Sequence, residues 1–283
     1  PRDLPFSPPR RSPPLPAGAR VLRAWLEARL AYALYTRPGS ATRRQELCEE
    51  ALSLLRDADE PSVVRSVLSD VRWALWGVQD PRSRRSLGDR LTALATASGD
   101  RELATGEVGW RFVDCLELGD PDADGALAEY ATRAGELGRP WYAWYVARFA
   151  ALRALAEGRI EEAEQRAAEG LLAAQELAHP DGEIVFGTLL VALRIAQDRS
   201  AEVVPVLHAA IARYPSLSLL RYVAAFLRTA AGPEAARAAL EDLAARDFDD
   251  LPEGYTRLPA AAYAALLCAA AGDPTRAAQL DTL

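Results

Sequence analysis

Leu155-Ala156-Glu157-Gly158-Arg159-Ile160-Glu161-Glu162-Ala163-Glu164-Gln165-Arg166-Ala167 contains a helix end, a turn and a fresh helix start. Gly158 supplies the helix-ending backbone conformation that other residues resist. Glu161 and Glu162 suit the positive end of a helix dipole. Ala163 and Ala167 lie one turn apart, so two helices can approach closely there. Working outward, comparable breaks stand at Pro38-Gly39, Asp80-Pro81, Gly119-Asp120, Asp198-Arg199, Gly232-Pro233 and Gly272-Asp273, at intervals of 34 to 42 residues. A period of this size marks a helical repeat array. Each unit cannot bury its own apolar face and must stack on its neighbours.

Between the breaks the apolar residues recur at helical steps, as in Val21, Leu22, Trp25, Leu26, Leu30 and Leu34. The pattern predicts an all-α chain of about fourteen helices in about seven antiparallel pairs, with no strand alternation of useful length. Pro61 and Pro205 fall in first turns, where proline is tolerated. The third helix is expected to run to about Trp76, the eighth over about 160–178, and later ones over about 201–213 and 217–231. His179-Pro180-Asp181-Gly182 is a turn, and Phe248 to Arg257 is the longest internal break. Residues 1–16, rich in proline, form a linker, and 17–283 form the array. The chain stops at Leu283 inside the helix that would complete the last pair, and it lacks methionine. A fragment of a longer protein is therefore the expectation.

Composition closes several routes. All 33 basic residues are arginine, and lysine and asparagine are absent. A P-loop needs its lysine on the phosphates, and a Schiff base needs one as nucleophile, so neither can occur. The net charge of −7 argues against direct nucleic-acid binding. Arg82, Arg84, Arg85 and Arg90 are a local basic cluster, read as a solvated helix face rather than a phosphate patch. Cys48, Cys115 and Cys268 are far apart and act as small hydrophobes, with no disulfide framework. His179 and His208 have no metal-ligand spacing around them, Asp249-Asp250 is a solvated loop pair, and Asp120, Asp122 and Asp124 lack the rest of a calcium loop. No metal or cofactor is expected. Charged residues interrupt every apolar run and nothing at the start resembles a signal peptide, so a cytoplasmic location without membrane association is expected.

The Gly158–Ala167 unit resembles a tetratricopeptide (TPR) turn, Gly-x-x-x-x-Ala-x-x-x-Ala. Related pieces are Cys48-Glu49-Glu50-Ala51, Pro233-Glu234-Ala235-Ala236 and Gly272-Asp273-Pro274-Thr275-Arg276-Ala277. The longer period makes these degenerate, lengthened units. Across 17–283 the chain is also similar to the C-terminal TPR region of large actinobacterial STAND-type ATPase regulators. The segments that carry this are Arg72-Trp73-Ala74-Leu75-Trp76-Gly77, Gly99-Asp100-Arg101-Glu102-Leu103-Ala104, Trp110 to Asp120, Arg139-Pro140-Trp141-Tyr142-Ala143-Trp144, Arg213-Tyr214-Pro215 and Phe248-Asp249-Asp250-Leu251-Pro252. The resemblance implies a TPR-like α-solenoid in a right-handed superhelix. It also implies a sensor and regulatory role beside an ATPase and an effector such as a LuxR-type, SARP-type or cyclase domain. It carries no catalytic motif onto this chain.

In a TPR unit the first helix of each pair lines the concave groove. With Gly158 as the turn, that register places Tyr145, Arg148, Leu152 and Leu155 on the groove side. Gly109, Val113 and Leu116 belong to the pair before, and Thr188, Ala192 and Ile195 to the pair after. The competing expectation is that these residues only fill a tight superhelix. Trp73, Trp76, Trp110, Trp141 and Trp144 are read as packing residues. A mostly apolar groove with one arginine suits a peptide helix or another segment of the same polypeptide. The expected function is a regulatory protein-interaction module of a signalling ATPase. A free-standing scaffold that recruits a peptide is the alternative, and an enzyme fares worst because no nucleophile–base cluster emerges.

Overall fold

The computed structural model describes residues 17–35, 37, 39–56, 59–178, 182–245, 248 and 251–281. The proline-rich segment 1–16, Pro38, His179, the Asp249-Asp250 pair and the end at Leu283 lie outside the described residues. Fourteen α-helices follow one another: α1 (Ala17–Ala33), α2 (Ala41–Leu54), α3 (Pro61–Ala74), α4 (Pro81–Ser98), α5 (Arg101–Leu118), α6 (Ala123–Leu137) and α7 (Pro140–Ala156). They continue as α8 (Ile160–Glu176), α9 (Gly182–Ala196), α10 (Val204–Arg213), α11 (Leu219–Leu227), α12 (Pro233–Ala244), α13 (Arg257–Ala271) and α14 (Pro274–Leu280). Proline opens the first turn of six of these: α3, α4, α7, α10, α12 and α14. No helix among the described residues is long and apolar enough to cross a membrane.

The turn at Gly158 shows why the breaks work. Gly158 sits at φ 74°. Its N–H donates to Leu155 O at 3.1 Å, and the Arg159 N–H donates to Ala154 O at 2.9 Å. These two bonds close the end of α7 as a Schellman motif. At the equivalent break between α9 and α10 a non-glycine residue, Asp198, takes φ 56°. Helix α3 ends at Ala74, two residues before the expected Trp76. Tight 3-10 turns at 200–203 and 228–231 replace parts of the expected tenth and eleventh helices. Such turns shorten the last hydrogen-bonded loop at helix ends.

Packing follows the chain. Five apolar clusters succeed one another, formed in turn by α1–α4, α5–α7, α7–α9, α9–α11 and α11–α14. Helices contact mostly their sequence neighbours, and α1 also packs on α3, α7 on α9 and α11 on α13. This is the packing of a repeat array, in which no single core is shared by all units. The α7–α8 contact rests on small residues. Ala151 and Ala154 meet Ala163 and Ala167, all 0–2% exposed. A side chain at Gly170 would lie 3.6 Å from the Ala147 methyl. The three cysteines are buried, and burial pushes each thiol pKa up, that of Cys48 to about 12.

Candidate functional site: an aromatic platform with an internal occupant

Between α3, α4 and α5 lies a buried ionic network. Arg72 and Arg84 are both nearly inaccessible and converge on Asp114, which is fully buried. Each donates from Nη2 to one Asp114 oxygen at 2.9 Å. Arg84 Nη2 also reaches Glu117 at 2.7 Å, and Arg72 Nη1 donates to Arg84 O at 2.5 Å. Arg84 is thus not part of a solvated basic face. Its partners come from another helix about thirty residues along, and burial there requires them. Arg85 pairs with Asp120 at 2.8 Å, while Arg82 stays exposed. Glu107 Oε2 lies 3.2 Å from Arg72 Nε, yet neither atom makes a hydrogen bond. Desolvation outweighs that poorly aligned attraction and raises the Glu107 carboxyl to about 7.

This network fixes an aromatic platform above it. Arg72 lies 5.3 Å from the Trp110 ring centroid, and Trp76 Nε1–H donates to Glu117 Oε1 at 2.7 Å. Trp73 meets Trp110 edge-on at 4.7 Å, and Trp76 meets Trp110 at 5.4 Å. Tyr35, just past α1, adds an edge contact to Trp73 at 6.1 Å. Burial pushes the Tyr35 phenol up, and the charges of Arg148 and Arg44 oppose the shift.

Onto this platform comes a segment from the far end of the array. The Tyr255 ring runs nearly parallel to Trp76 (4.7 Å, 19°) and to Tyr35 (5.2 Å, 10°). Two residues earlier, the Glu253 carboxylate accepts from the Ala41 N–H, the first of α2, at 2.8 Å. The α2 N-cap, Ser40, makes no side-chain cap bond; its hydroxyl faces Leu34 O and Arg37 O instead. The buried Arg44 guanidinium adds positive charge beside Glu253 and ties down the end of α3 through Ala74 O at 2.7 Å. Main chain meets main chain at Gly77, where a Cβ would fall 2.0 Å from Tyr255 N. With φ at 71°, position 77 is closed to side chains on both counts.

The residues expected in the groove divide. Tyr145 is half-buried among Trp141, Trp144 and Phe149. Arg148 lies 5.9 Å from the Trp144 and Tyr145 rings and makes no ion pair or hydrogen bond among the described residues. Its charge opposes the upward shift of the Tyr35 phenol. Leu152 and Leu155 pack half-buried against the α7–α9 cluster. Gly109 is core: it abuts Tyr130, whose Cε2 would stand 2.9 Å from a Cβ there, so α6 covers it. Val113 and Leu116 pack on the α5–α7 cluster and Ile195 on the α9–α11 cluster, while Thr188 is exposed. Trp73, Trp76 and Trp110 pack, as expected, but on one another and beneath Tyr255. Tyr35, Arg44, Gly77, Glu253 and Tyr255 had not stood out in the sequence. Glu253 and Tyr255 fall within 248–257, the stretch that reads as the longest internal break.

Among the described residues no group of His, Cys, Asp and Glu is placed to hold a metal ion. The site instead gathers flat apolar rings, a helix N-terminus, cations and an open main-chain surface, a set suited to holding polypeptide. Compared with known proteins, the chain matches no protein-family profile, no curated protein and no solved structure.

Proposed function

We propose that this chain is a TPR-like interaction array, wound as a right-handed superhelix, that regulates a multidomain signalling ATPase by binding a polypeptide segment on its aromatic face. One observation carries the reading: a segment of the chain itself, around Glu253-Gly254-Tyr255, is seated there through ring stacking, a carboxylate contact and main-chain approach. The TPR form is supported by the Gly158 turn and by the alanine pairs that let α7 and α8 pack closely. The ATPase setting rests on the sequence resemblance.

The test is the natural reading frame, expressed whole. A P-loop domain upstream, with a nucleotide-hydrolysis rate altered by Trp76→Ala in the array, supports the proposal. A rate indifferent to Trp76→Ala, or a reading frame without an ATPase, removes the ATPase role and leaves an interaction array.

A further inference from the structure

We propose that the platform is a recognition site for an extended peptide with an acidic residue two positions before an aromatic one, and that Glu253-Gly254-Tyr255 is its tethered competitor. This rests on the reading of the chain as an interaction array and specifies its ligand. Each part of the motif has a receptor. The first N–H of α2 and the Arg44 charge receive the carboxylate. Gly77 offers bare backbone where the middle residue passes. Tyr35 and Trp76 receive the ring.

The two recognition residues of the internal segment sit shallow, although Gly254 and Thr256 beside Tyr255 are buried. Tyr255 keeps 37% of its surface exposed, and Glu253 is exposed as well. A shallow seat of this kind exchanges its occupant more readily than a core contact. Arg148, whose charge acts on the Tyr35 phenol and which lies over Trp144 and Tyr145, makes no ion pair among the described residues. After Tyr255 the chain offers it only Thr256 before α13 begins at Arg257. An incoming peptide with acidic residues beyond its aromatic one can pair with Arg148, an attraction the tethered segment does not supply. That matters because a tethered segment competes at an effective concentration of order millimolar.

The experiment uses the full chain and a fluorescein-labelled peptide, LPEGYTEE, which copies residues 251–256 and adds two glutamates. A control peptide, LPQGSTEE, lacks the carboxylate and the ring of the motif. The Glu253→Gln/Tyr255→Ser variant vacates the seat. Tyr255→Ser alone is a second opener if the double variant misfolds. By fluorescence anisotropy, the opened chain is expected to bind LPEGYTEE about tenfold or more tightly than the unaltered chain. The control is expected to bind at least about tenfold more weakly, and Trp76→Ala in the opened chain to abolish binding.

Absent saturation by the opened chain, or equal binding of the control, overturns the ligand assignment. Hydrogen exchange at 254–256 separates the two levels of failure. Protection in the unaltered chain and release in the opened one, without peptide binding, sinks only the assignment. Equal lability in both chains means the segment is not seated, and the platform reading falls with it.

Discussion

Asp114→Ala is the substitution with the largest consequence that the ionic network predicts. It removes the carboxylate to which both Arg72 and Arg84 donate at 2.9 Å, in a place with no access to water. Arg84 keeps Glu117 and Arg72 keeps the Arg84 carbonyl, so neither guanidinium is left bare. Removing one partner of a buried ion pair typically costs about 3–5 kcal/mol, because the remaining charge stays buried. The remaining partners place this case near the lower end, about 3 kcal/mol. Asp114→Asn, which keeps one acceptor oxygen, should cost less. Because a repeat array need not unfold in a single step, the quantity to follow is the urea midpoint by circular dichroism, beside tryptophan fluorescence. The fluorescence should change under native conditions too, since Arg72 and Glu117 position Trp110 and Trp76. A cost below about 1 kcal/mol, the scale of a surface ion pair, would refute the idea that the network is dry.

Three further outcomes are expected. Glu107 holds its proton up to about 7 in the folded chain against an ordinary value of 4.5. Between those values the folded state binds more protons than the unfolded one, so this group's contribution is full below about 4.5 and lost as pH rises through about 7. Glu107→Gln should flatten that slope in urea midpoints taken at about pH 5 and about pH 8, and an unchanged slope would contradict it. Ala163→Arg must place a guanidinium among Ala151, Ala154 and Ala167, and should cost about 3 kcal/mol or more. An unaltered melting temperature would mean that the α7–α8 register is wrong. Finally, with no lysine to make a P-loop, titration with ATP in a calorimeter should give no saturable heat, and a measurable affinity would reverse that inference.

The array was legible because its signals are local. A glycine or aspartate that ends a helix, a proline that opens one and a pair of alanines one turn apart each act within a few residues. Helix α8 falls at Ile160–Glu176, close to the expected 160–178, and the Gly158 turn closes as its residues suggest. What escaped depends on distant partners. Arg84 reads as a surface cation until Asp114 and Glu117, 30 and 33 residues on, are brought beside it. The groove register named Arg148, which lies over Trp144 and Tyr145, but not the platform itself. Tyr35, Gly77 and Tyr255 share no periodicity that would join them. Gly109 misled in the same way: its lack of a side chain answers to Tyr130 on α6.

The bond between the Ala41 N–H and Glu253 spans 212 residues of chain. An array coupled only through adjacent units frays independently at its two ends. Here the two end regions share a clasp. Contacts so far apart in sequence form late, after neighbouring units have zipped together, so docking of 253–255 should be the final event of folding and the first lost. Loosening α1 and α2 then weakens the hold on the segment before α13, and releasing that segment loosens α1 and α2 by the same free energy. An event at either end region of the array is therefore felt at the other without passing through the helices between.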